Sequence, residues 1–231
     1  MKKIYALQRT RKLFQHSFLL LLLFSLFAGR ISAQTYVNGN LSTGATTSTG
    51  TTAPAGFTWS ELQLTNTTLG LSASIAAGFT VADDFTVPAG PSWTVSKATF
   101  FAYSTGYAGT TSPFSEVRVQ IYNTDPSVGS PAPIWGDLTT NILASSSTAS
   151  MYRTAAAGAT NRQIWKIEAN VATTLAPGTY WIEWQVGTSQ TSNFSPPSTV
   201  VGTTTQAGNN AKQKTVSTGV WTSITDGGSG A

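Results

Sequence analysis

Carboxylates are scarce in this chain, nine in all, and two of them stand together as Asp83 and Asp84 in FTVADDFTVPAG (79–90). Strict alternation places Phe79, Val81, Asp83, Phe85 and Val87 on one side of a strand. Asp83 is then a charge on an apolar face, where an uncompensated carboxylate is costly. Three arrangements relieve it. A β-bulge at the Asp-Asp step lets an aspartate cap a turn. Arg118 or Arg153 reaches it as an ion-pair partner. Or Asp83 and Asp84 supply oxygens to a calcium ion, a hard cation common in extracellular folds. Neighbours on a regular strand point to opposite faces, so one ion takes both only if the strand is distorted. A second acidic loop, NTDPSVGSPAPIWGD with Asp125 and Asp137, offers the same ligand type, although Asp-Pro followed by Gly reads first as a turn.

Other chemistry is bounded by residue types. The single histidine is His16 and there is no cysteine. Beyond the amino-terminal segment there is thus no imidazole to take a serine proton, no thiol nucleophile, no disulfide and no His/Cys metal site. The chain also lacks G-x-S-x-G, G-x-x-x-x-G-K and G-x-G-x-x-G. Glycoside hydrolysis needs only two carboxylates, with Glu116, Glu168 and Glu183 as strand-borne candidates. Each sits on the polar parity of its strand, where a solvated glutamate is expected, so no catalytic residue is assigned.

Aromatic side chains are the stronger binding signal. An exposed indole can stack on a sugar ring. Trp135, in the proline-rich SPAPIWGD, is the loop-tip candidate, and Trp181, on the opposite parity from Trp184, is the sheet-face candidate. The competing reading is that a disulfide-free core uses its tryptophans for packing.

These side chains must be positioned by strands. SWTVSKATFFAYS (92–104) follows a Pro-Ala-Gly-Pro turn. EVRVQIY (116–122), IWKIEANV (164–171) and APGTYWIEWQVG (176–187) alternate apolar with polar residues. Such alternation predicts one packed and one wetter face for each sheet. No stretch keeps helical spacing over three turns, and NILASSSTASM (141–151) reads as loop or strand. The class expected is all-β, an antiparallel sandwich or jelly roll.

The amino terminus reads as an address. Basic residues from Lys2 to Lys12 precede the apolar run FLLLLLFSLFA (18–28), and GRISA follows, the layout of a secretory signal peptide ending near Ala33. The run is about half the ~20 residues that span a bilayer, so no membrane span is expected after cleavage. Six of the thirteen bases lie there, leaving seven bases against nine acids beyond it. The remainder offers no basic surface for nucleic acid. Three segments are expected: a signal peptide (1–33), a Thr/Ser/Gly-rich lead-in (34–56) and a single β-sandwich domain (57–231).

ADDFTVPAGPSWTVSKATFFAY, VRVQIYNTDPSVGSPAPIWGD, MYRT and LAPGTYWIEWQ, in that order, resemble a family of secreted bacterial β-rich surface proteins, met among those with PEP-CTERM anchors and those with type IX sorting tails. The similarity runs from about Phe79 to Trp221. It implies export and a β-sandwich, carries over no functional residue, and favours a structural role for Asp83, Asp84 and Phe85. Members of this kind continue past DGG into another apolar strand, so a sandwich short of its last strand is expected from a chain ending DGGSGA. The function expected is a non-catalytic, exported protein of the cell surface or matrix with a structural or adhesive role. Its partners would be polysaccharide or other surface proteins. The alternatives are a carbohydrate-binding module using Trp135 and Trp181 and a carboxylate-based glycoside hydrolase.

Overall fold

The computed structural model describes residues 35–199, 201–204, 208–226 and 229–230, and the signal peptide expected over 1–33 lies outside them. Two six-stranded sheets are formed. The first contains β1 (Thr58–Glu61), β2 (Leu71–Ser72), β4 (Trp93–Ser104), β7 (Leu143–Thr154), β8 (Gln163–Leu175) and β10 (Asn193–Ser195), in the order β1-β7-β8-β4-β10-β2. The second contains β3 (Phe79–Val87), β5 (Phe114–Tyr122), β6 (Trp135–Asp137), β9 (Gly178–Thr188), β11 (Lys212–Thr215) and β12 (Val220–Ser223), in the order β12-β11-β3-β9-β5-β6. A small ribbon pairs β13 (Thr225–Asp226) with β14 (Ser229–Gly230). The strand pairings are antiparallel except that β1 runs parallel to β7. The all-β sandwich expected from alternation is the fold found, and 141–151 contributes most of a long strand, β7.

The core is built from the parities the alternation marked. Val117, Val119 and Ile121 of β5 meet Trp165, Ile167, Ala169 and Val171 of β8, with Phe100 and Ala102 of β4 and Tyr180 and Val186 of β9. Each buried Val, Ile or Phe contributes about 1.5–3 kcal/mol relative to exposure, which is what a chain without disulfides relies on. A smaller cluster, Ala73, Val81 and Ile224, lies towards the β2 end with Leu71, Trp184 and Ala211 packed on it.

The lead-in does more than connect. From Asn38 onward the chain belongs to the compact unit that holds both sheets. Thr43 N–H donates to Trp59 O and Trp59 N–H to Gly44 O, extending the first sheet beyond β1. Trp59 Nε1 donates to Thr51 O at 2.9 Å, and the Glu61 carboxylate accepts from Ser48 N–H at 2.8 Å and from its hydroxyl.

Candidate functional site

Asp83 lies where alternation puts it but is satisfied by neither of the two expected routes that protein contacts test, the bulge and the arginine ion pair. The register between β3 and β9 runs unbroken from Val81–Trp184 to Val87–Gly178, so there is no bulge at the Asp-Asp step. Arg118 donates to Glu116 and Leu138 O, and Arg153 to Leu69 O, Ser60 and Thr199, so neither is its ion-pair partner. Instead Asn38 Nδ2 donates to Asp83 Oδ2 at 2.5 Å, and the Asp84 N–H to Oδ1 at 3.0 Å. Burial pushes the Asp83 carboxyl above its ordinary range, against the pull of those two hydrogen bonds. The unbroken register directs Asp83 and Asp84 to opposite faces. Among the described residues no three His, Cys, Asp or Glu side chains cluster as metal ligands would.

The loop aspartates act as turn residues. Asp125 Oδ1 accepts from Ser127 N–H at 2.9 Å and Oγ at 2.8 Å, and Asp137 accepts the N–H groups of Thr139 and Thr140 at 2.7 and 2.6 Å. Gly136 has φ of +75°, and a Cβ there would sit 2.2 Å from Val119 O, so only glycine lets β6 close on β5.

The densest grouping of polar chemistry is on the outer face of the second sheet, centred on Glu183. Sequence parity predicts a solvated glutamate, yet Glu183 is 0% exposed. The physical reason is its place in the sheet. Strand β9 is interior, flanked by β3 and β5, and Gln120, Tyr122 and Lys214 reach over its carboxylate. Oε1 accepts from Thr80 Oγ1 at 2.5 Å and pairs with Lys214 Nζ at 2.5 Å. Oε2 accepts from Gln120 Nε2 at 2.5 Å and Tyr122 OH at 2.8 Å. Four strands, β11, β3, β9 and β5, thus contribute to one carboxylate. Ala82 stands directly beside Glu183 in register and beside Lys212 on its other side, leaving room for the lysine stems. Burial, then the Glu183 charge, pushes the Tyr122 hydroxyl well above the usual phenol range.

Trp181 belongs to the same face but is not a platform. It is 6% exposed and packs with Ala82, Tyr122 and Trp221 in a satellite cluster. Lys212 Nζ lies 5.1 Å from its ring centroid and also donates to Ser127 Oγ at 2.6 Å and to the Asp125 carboxylate. That contact straps the β5–β6 loop, which leaves β5 just beyond Tyr122, to β11 next to Trp181. Asp125 is held below its ordinary value although burial acts the other way, because Lys212 and Ser127 donate to it. Lys214 repeats the arrangement, 4.9 Å from the Trp221 centroid. The exposure expected of Trp181 is therefore not found: parity placed it outward, and a strap crossing the sheet covers it.

Trp135 is half-buried, packed against the main core from β6, with Ile134 and Val128 exposed on the same loop. Glu116 pairs with Arg118 at 2.6 Å. Glu168 lies between Lys166 and Lys97 on the first sheet, where a hydrogen bond from Ser145 and then Lys166 holds its carboxyl down at about 2. The three glutamates that the sequence offered for hydrolysis do not form one site: Glu116 and Glu183 are on the second sheet, Glu168 on the first.

Sequence reading missed Thr80, Gln120, Tyr122, Lys212, Lys214 and Trp221 as members of the Glu183 grouping. One signal was present. YWIEW carries aromatics on both parities, which implies that both faces of β9 are covered.

Two six-stranded sheets around an apolar core, with a polar network on the outer face of one, define an all-β sandwich protein. Compared with known proteins, the chain matches no family model, no curated protein and no solved structure.

Proposed function

We propose that this is a non-catalytic β-sandwich domain of an exported surface or matrix protein, with a structural or adhesive role. The observation that carries it is the bonding of Glu183. The Glu183 carboxylate, 0% exposed within the second sheet, has both oxygens engaged by four side chains of that sheet, an arrangement that ties strands together rather than presenting an acid to a substrate. The leader expected over 1–33 and the resemblance of the ADDFTVP-type blocks to secreted surface proteins point the same way.

A second reading, carbohydrate binding, is favoured at one place. Trp135, at the start of β6, is only half-buried, and Ile134 and Val128 on the preceding β5–β6 loop are exposed. One experiment separates these readings. The exported chain is incubated with a panel of insoluble polysaccharides, with calcium and with EDTA, and both retention and release of reducing ends are measured. No release, with cell-surface material lost when the gene is deleted, supports the structural role. Saturable retention abolished by Trp135→Ala at unchanged Tm moves the assignment to a binding module. Loss of that retention in EDTA brings calcium, and Asp83 and Asp84 as ligands, into it. Release of reducing ends that Glu183→Gln abolishes in a folded protein overturns the non-catalytic assignment.

A further inference from the structure

Residues 67–69 are gripped at both their amides and their carbonyls. Asp226 Oδ1 accepts the Thr67 N–H at 2.5 Å and the Thr68 N–H at 3.0 Å, and also the Thr67 hydroxyl at 3.1 Å. Arg153, 2% exposed, donates Nε–H to Leu69 O at 2.8 Å and approaches Thr68 O at 3.5 Å. A carboxylate thus holds the amides of this ribbon and a guanidinium its carbonyls, both charge-assisted contacts. Arg153 Nη1 also reaches Ser60 Oγ and Thr199 Oγ1, so β1, β7 and the segment after β10 share the same grip.

The two sides differ in their attachment. Arg153 is on β7, inside the first sheet, whereas Asp226 is on a two-residue strand outside both sheets. Next to it, Ile224 packs on Ala73 and Val81, and its N–H donates to Ala211 O at 3.0 Å. The 63–69 loop is fastened in turn to the 201–204 loop. Gly202 N–H donates to Gln63 Oε1 at 2.8 Å, and Asn66 Nδ2 to Thr204 O at 2.8 Å. None of these residues belongs to the main core between the sheets.

We propose that Ile224–Asp226 is a releasable clasp. Docked, it orders the 63–69 and 201–204 loops as one unit against the fixed Arg153. Withdrawn, it lets that unit open and uncovers the small apolar cluster at the β2 end while the main sandwich stays folded. Local opening of this kind is drawn from segments with few buried apolar contacts.

Native-state hydrogen exchange on the exported full-length chain tests it, read at amides that do not bond Asp226. Asp226→Ala accelerates exchange at Asn66, Gly202 and Ile224 by at least about tenfold, the size expected for losing charge-assisted hydrogen bonds. Val119, Ile167 and Ala169, within the sheets, change less than about twofold. Asp226→Asn, whose amide oxygen still accepts, restores most of the protection. Equal acceleration at all six positions overturns the proposal, because the clasp and the sandwich are then one cooperative unit. A change confined to Thr67 and Thr68, or failure of Asp226→Ala to fold, overturns it as well.

Discussion

Replacing Lys214 with methionine keeps an apolar stem of similar length and removes only the cation, leaving Glu183 charged and buried. Breaking a buried ion pair from one side costs about 3–5 kcal/mol. The lower half of that range applies here, because the Lys214 side chain is 14% exposed and three neutral donors remain on Glu183. The contact with the Trp221 ring adds about 0.5 kcal/mol. Lys214→Met is therefore expected to cost roughly 3.5–4.5 kcal/mol. For a domain of this size that lowers Tm by about 7–18 °C. Glu183→Gln alone leaves the ammonium without its partner and costs a comparable amount. In the double variant no charge is stranded, and the glutamine oxygen still accepts from Thr80 or Tyr122. Its cost should fall short of the sum of the singles by about 2 kcal/mol or more. The assay is urea unfolding at pH 7 followed by tryptophan fluorescence, completed as a double-mutant cycle. Additive costs, or a Lys214→Met cost below about 1 kcal/mol, refute the reasoning: Glu183 would then be solvated and the network a surface ion pair.

The Asp83 carboxyl has a raised pKa in the folded state, so the protein binds more protons there than when unfolded. Its contribution to stability is present below the unfolded value of 3.8 and is lost as pH rises through the folded value. Asp83→Asn keeps an acceptor for Asn38 or the Asp84 amide. It should leave stability at pH 7 unchanged or raised and remove this part of the pH dependence, measured by unfolding at pH 4 and pH 7. Glu168 has the opposite sign: its stabilisation is present above 4.5 and lost as pH falls towards about 2. Glu168→Gln should flatten the acid limb of a stability–pH curve over that window. Lys212→Met should loosen the strap over Trp181 and raise acrylamide quenching of tryptophan fluorescence; unchanged quenching means packing alone holds the loop. Trp181→Ala should cost about 3–5 kcal/mol as a truncation of a buried aromatic, whereas Trp135→Ala should cost less, and thermal melts rank them.

Alternation was enough to read the all-β class and the core parities of β5, β8 and β9. A strand's side-chain period is two whatever surrounds it, so the inner positions of EVRVQIY and IWKIEANV follow from the sequence directly. The same rule put Asp83 on the inner side of β3, and the turn chemistry of Asp125 and Asp137 was legible because an aspartate caps residues two or three positions away. Partners distant in sequence were not legible. Asn38 meets Asp83 across 45 residues and Thr80 meets Glu183 across 103.

What the sequence by itself determined about this protein is therefore the faces of its strands and the positions of its turns, because both are set by neighbours along the chain. Only the tertiary structure decided that the polar face of β9 is dry. That outcome depends on strand order, which makes β9 interior, and on a loop strapped across it by Lys212 and Asp125. Alternation assigns a side chain to a face; solvent reaches that face only where no neighbouring strand, long side chain or crossing loop excludes it.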